Sequence, residues 1–130
     1  MDRYEIFEQA KECEKELADY HLVSFFKSFM PKQRNERWIY LSKKQSPRAY
    51  RDSHKLEHLL DFGFSKEIDS ETVLSKYKTG VFWDFKDKPI IVSPEDAFIL
   101  SYYQDGIYSI EPGKKAVFFF HEGGIWLFQK

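Results

Sequence analysis

The chain has 130 residues, 20 basic and 21 acidic side chains and a formal net charge of −1, with 42% hydrophobic and 18% aromatic residues. That aromatic content at near-zero net charge is opposite to the signature of a disordered chain, and no run of about 18 apolar residues is present to cross a bilayer. A length near the modal domain size predicts one core, so residues 1–130 are expected to form a single domain.

In chain order, the first element reads as a helix. Ile6, Ala10, Cys13, Leu17 and Tyr20 recur every three or four residues, with Asp2 as N-cap and Glu5 three positions later as in a capping box. Cys13 is the one cysteine, which excludes an internal disulfide and fits a reducing compartment. The acidic N-terminus lacks the apolar segment of a signal peptide, so the expected location is the cytoplasm. Residues 22–30 fit helix or strand, with helix favoured up to Pro31 because a residue before proline is pushed out of the α region. Pro31–Glu36 reads as a polar connection and Arg37–Ser42, rich in aromatic and branched residues, as a strand. Ser46-Pro47 starts a helix running to Leu60, with Gly63 as its stop, and Asp69 caps a short helix carrying Val73, Leu74 and Tyr77.

The C-terminal half carries stronger signals. Val81–Phe85 and Pro89–Val92 read as strands joined by Lys86-Asp87-Lys88, and Ser93-Pro94-Glu95-Asp96 opens a helix with an N-cap, proline at the first helical position and acids at the positive helix end. Strands at about 107–111, 115–121 and 124–129 are separated by Pro112-Gly113 and Gly123-Gly124, turn signals short enough to force antiparallel neighbours. The order predicts an α+β domain: an N-terminal helix or helices and two to three further helices packed on one face of a mainly antiparallel sheet that ends in a three-stranded meander.

Few residues carry a chemical signature. His54-Lys55-Leu56-Glu57-His58 resembles the H-x-x-E-H pattern of the inverzincin metalloproteases. That resemblance spans five residues and implies zinc held by His54 and His58 with Glu57 as proton acceptor. The family also needs a third ligand, for which Glu111 and Glu122 are the late glutamates, and neither is marked by its surroundings. The plainer reading is two exposed histidines on an amphipathic helix, with no metal and no cofactor. His21 and His121 are isolated in sequence, and G-x-S-x-G, P-loop, G-x-G-x-x-G and C-x-x-C strings do not occur.

Charge distribution says more. Residues 1–26 carry three basic and seven acidic side chains, residues 27–55 nine basic and two acidic, and the rest eight and twelve. The middle block, at +7, contains Lys27, Lys32, Arg34, Arg37, Lys43, Lys44, Arg48, Arg51 and Lys55, interleaved with Trp38, Tyr40 and Tyr50. A block this unequal either steers an oppositely charged partner or pairs internally with the acidic N-terminal helix. The expected function is a non-catalytic protein-binding module, one form being an inhibitor or immunity-type protein that neutralises a toxin or enzyme. Its candidate contact residues for an acidic partner are Arg34, Arg37, Trp38, Arg48, Tyr50 and Arg51, since Tyr, Trp and Arg dominate hot spots. A nucleic-acid binder or small RNA-cleaving enzyme using the same block is the alternative, although a sequence pI near 6.4 lies below the usual range for such domains. A metal-dependent hydrolase using His54, Glu57 and His58 comes third.

Overall fold

The computed structural model describes residues 2–121 and 124–130. Its elements are α1 (Arg3–Gln9), β1 (Lys11–Glu12), α2 (Lys15–Phe29), α3 (Lys32–Lys44), α4 (Pro47–Asp52), a 3-10 turn (Ser53–Lys55), α5 (Leu56–Leu59), β2 (Ser65–Ile68), α6 (Ser70–Lys76), β3 (Gly80–Trp83), β4 (Ile90–Val92), α7 (Pro94–Leu100), β5 (Gly106–Glu111), β6 (Lys115–Phe120) and β7 (Gly124–Gln129). The caps read from sequence form: Asp2 Oδ1 accepts from Glu5 N at 2.9 Å, Asp69 Oδ1 from Thr72 N at 2.8 Å, and Ser46 and Ser93 cap α4 and α7 through their hydroxyls. Each satisfies an amide that the first helical turn leaves open.

The strands form one antiparallel seven-stranded sheet in the order β1-β4-β3-β5-β6-β7-β2. The C-terminal meander is its centre, with Tyr108 opposite Val117 and Val117 opposite Leu127. Alternate side chains leave opposite faces of a strand, and here both faces are covered. Trp83, Ile107, Ala116, Phe118 and Phe128 pack against Leu22, Phe25, Phe26 and Phe29 of α2, Trp38 and Leu41 of α3, Ala49 of α4 and Leu56 of α5. Phe82, Tyr108, Val117, Phe119 and Leu127 pack against Ile6 of α1, Val73 of α6, and Ala97 and Leu100 of α7. The molecule is therefore three layers, helices–sheet–helices, and not a sheet with helices on one face. Continuous apolar runs such as Ala116–Phe120 follow from this, because a strand buried on both faces has no polar side to alternate with.

Three elements differ from the sequence reading. The first helix ends at Gln9, where Ala10 turns extended and Lys11 and Glu12 pair with Ile91 and Ile90 at the sheet edge. A second helix then starts at Lys15, leaving Leu17 and Tyr20 exposed. Residues 32–44 are one helix: Asn35, Trp38, Leu41 and Ser42 are its buried face, a spacing of three to four that outweighs the β preference of Trp38-Ile39-Tyr40. The Pro47–Leu60 helix is present but broken by the Ser53–Lys55 turn and closed at Leu60, upstream of Gly63. Strand β2 carried no sequence signal.

Candidate functional site

The basic block folds into α3, α4, the Ser53–Lys55 turn and the end of α2, so its cations lie on the outer side of one helical layer. Trp38, expected at the surface, is 1% exposed; it stacks on Phe26 at 5.8 Å and meets Phe85 edge-on at 6.0 Å. It anchors α3 to the sheet and offers nothing to a partner. Burying its ring turns its neighbours outward: Arg37 and Tyr40 are exposed, Tyr40 by 60%, and on α4 the buried Ala49 leaves Arg48, Tyr50 and Arg51 outside.

One acid organises part of this face. Asp52, 3% exposed at the end of α4, accepts from Arg37 Nη2 at 2.6 Å, from Arg51 Nε at 3.2 Å and Nη2 at 3.3 Å, and has Lys55 Nζ at 3.6 Å. Hydrogen bonds from Arg51 and then Arg37 hold its carboxyl well below the ordinary range. Lys32, Arg34, Lys43, Lys44 and Arg48 make no ion pair among the described residues.

The β3–β4 hairpin borders this face. Phe85 adopts φ +67° while its ring sits 4.6 Å from that of Trp83, and Asp84 Oδ1 accepts from the Lys86 and Asp87 amides at 3.0 and 2.7 Å. The turn so fixed sets Lys86 Nζ 5.3 Å from the ring centre of Tyr50. On its other side Arg3 Nη2 donates to Asp84 at 3.2 Å and Asp87 at 2.9 Å, with its guanidinium 5.8 Å from the Tyr103 ring. Burial raises the Asp84 carboxyl above its usual value, opposed by the amides it accepts from. Gln45, left-handed at φ 51°, closes α3 by donating to Ser42 O and accepts from Trp83 Nε1 at 3.1 Å, tying the basic layer to β3. Sequence reading missed the roles of Asp52, Arg3, Asp84 and Gln45. Asp52 carried a usable signal, since Arg48, Arg51 and Lys55 stand four and one residues before it and three after.

Acids stand in both layers: α2, beside α3, carries Glu16 and Asp19, the latter paired with Lys15 at 3.1 Å. Helices α1, α6 and α7 expose Glu5, Glu8, Glu71 and Glu95, and they occupy the opposite helical layer. With roughly 10 Å between packed layers, α1 and α3 stand on the order of 20 Å apart, more than two screening lengths at physiological salt. At that distance α1 makes no ion pair with the block, and among the described residues the carboxylate that pairs with the block's cations is its own Asp52.

Other clusters offer less. His54 and His58 are exposed, one in the 3-10 turn and one in α5, and among the described residues no three His, Cys, Asp or Glu side chains converge as a metal site. Glu111 lies 4.0 Å from Lys115, and Glu122 lies outside the described residues. His21 Nδ1 is 2.7 Å from Ser109 Oγ, but Ser109 is fully buried, so no substrate reaches that hydroxyl; burial lowers the His21 pKa. His121 is exposed, its amide bonded to Asp105. Cys13 lines a cleft of about 330 Å³ with Lys15, Asp19, Lys43, Gln45 and Lys88, and burial raises its thiol pKa. Among the described residues no helix is long and apolar enough to cross a membrane. The chain matches no family model, no curated protein and no solved structure.

Proposed function

We propose that this chain is a protein-binding module without catalysis of its own, whose basic α3–α4 layer docks an acidic protein surface. Its biological form, on this reading, is an inhibitor or immunity-type protein that neutralises a toxin or enzyme by covering it. The carrying observation is the set of unpaired cations Lys32, Arg34, Lys43, Lys44 and Arg48 on α3 and α4, two helices whose acids are Glu36 and Asp52 alone. Such a local excess of exposed positive charge maintains a field outside that surface. Arg34, Arg37, Arg48 and Arg51 supply charge, and Tyr50 (46% exposed) supplies rigid contact area. The nucleic-acid alternative is weakened by the burial of Trp38, the ring best suited to stack a base.

The test is capture from source lysate by the wild type and by Arg34→Glu/Arg48→Glu, with mass spectrometry of protein and nucleic acid. An acidic protein retained by the first and lost by the second supports the proposal. Recovery of nucleic acid in its place, or stoichiometric zinc in the purified chain, would replace it with the second or third reading.

A further inference from the structure

We infer that Arg37 and Arg51, fixed by the buried carboxylate of Asp52, form a preset receptor for a single carboxylate side chain on the acidic partner. The inference rests on the functional reading above and sharpens it to one point on the basic face.

Asp52 is the only buried acid on this layer among the described residues, and it carries three cations, so the cluster keeps two surplus positive charges at fixed positions. A guanidinium has five N–H donors in a rigid fork. Arg51 spends its Nε/Nη2 edge on Asp52, and Arg37 spends one Nη2 donor. Their remaining donors make no bond among the described residues, and the two side chains stay 66% and 48% exposed. Arg37 is further set by the face of Trp38, 6.0 Å away.

A free surface arginine must be immobilised before it binds an anion, and that ordering opposes association. Here folding has already ordered both side chains, because their anchor is shielded from solvent and held at the end of α4. Arg34 and Arg48, with no such anchor, act only through the long-range field. A carboxylate fits because its two coplanar oxygens match the guanidinium fork. Nucleic acid would supply phosphate to the same donors, and the test separates the two.

Titration of the uniformly 15N-labelled chain with hexaglutamate at low salt, followed on arginine Nε–H resonances, reads the site directly. Arg37 and Arg51 should shift saturably and further than Arg34 and Arg48. Two variants set the receptor against a simple field. Asp52→Asn adds a positive charge, so a pure field predicts tighter binding, whereas loss of the anchor predicts binding about five-fold weaker. Arg51→Lys keeps the charge, the fold and the field but removes the fork, and should weaken binding to a similar degree. The amide spectrum of each variant verifies folding.

Affinity unchanged in Arg51→Lys, or raised in a folded Asp52→Asn, overturns the receptor while leaving the basic-face reading intact. No binding of hexaglutamate to the wild type at low salt removes both. Tighter binding of a hexauridylate strand than of hexaglutamate, at the same two arginines, would overturn the carboxylate assignment.

Discussion

Phe85 links the hairpin to the basic layer, and its backbone makes an unusual prediction. It is buried, and its ring lies 4.6 Å from Trp83, 6.0 Å from Trp38 and 6.0 Å from Phe118. Yet its φ of +67° is a left-handed conformation costing a non-glycine residue about 1–2 kcal/mol. Truncation to Ala removes the ring, at about 3–5 kcal/mol for a buried Phe, and keeps the strain. Truncation to Gly removes the same ring and releases the strain, but frees the unfolded chain at a cost of about 0.4–1 kcal/mol. Subtracting leaves Phe85→Gly more stable than Phe85→Ala by roughly 0.5–1 kcal/mol, the reverse of the usual order. Urea unfolding of both variants with a shared m-value measures the difference. If Phe85→Ala proves the more stable by the ordinary entropic margin, the strain is absent and Phe85 is an ordinary core ring.

Other expectations concern the remaining elements. Burial depresses the His21 pKa, so the unfolded chain takes up the proton first; stability should be full above the ordinary histidine value near 6.5 and decline as pH falls through it. A urea midpoint equal at pH 8 and pH 5.5 would contradict this, and His21→Gln should flatten that segment of the profile. His54→Ala/His58→Ala should leave metal content and melting temperature nearly unchanged, as measured by elemental analysis and calorimetry. Amide exchange should be slowest in Ile107–Ser109, Val117–Phe119 and Leu127–Phe128, at the centre of the sheet; fast exchange there would defeat the three-layer account.

How much of this was legible depends on whether the signal was local. Caps and turns are local chemistry, so Asp2, Ser46, Asp69, Ser93 and the Pro112-Gly113 turn were readable, and with them the meander and the α+β class. The stripe from Ile6 to Tyr20 misled because the pairing of Lys11 and Glu12 with β4, a contact about 80 residues away in sequence, interrupts the helix. Trp38-Ile39-Tyr40 reads as a strand by residue type, but the helical spacing of the buried Asn35, Trp38 and Leu41 decides the element. The runs Val81–Phe85 and Ala116–Phe120, in which Asp84 is the one polar residue, are the sequence sign of cover on both faces. In the site, Arg34, Arg48 and Tyr50 are exposed as a docking role requires, whereas Trp38 is not. The role of Asp52 is not legible in sequence from charge alone, because an acid inside a basic block reads as dilution of charge until its burial is known.

The central claim is that the outward basic layer steers an acidic partner. Its most direct measurement is the association rate constant for the captured partner at about 10 mM and about 150 mM salt, where the screening length falls from roughly 30 to 8 Å. The account predicts a steep fall for the wild type. It also predicts a much flatter dependence for Arg34→Ala/Arg48→Ala at unchanged melting temperature, since exposed arginines contribute at most about 1 kcal/mol each to folding. A wild-type rate that stays the same at both salt concentrations would contradict it.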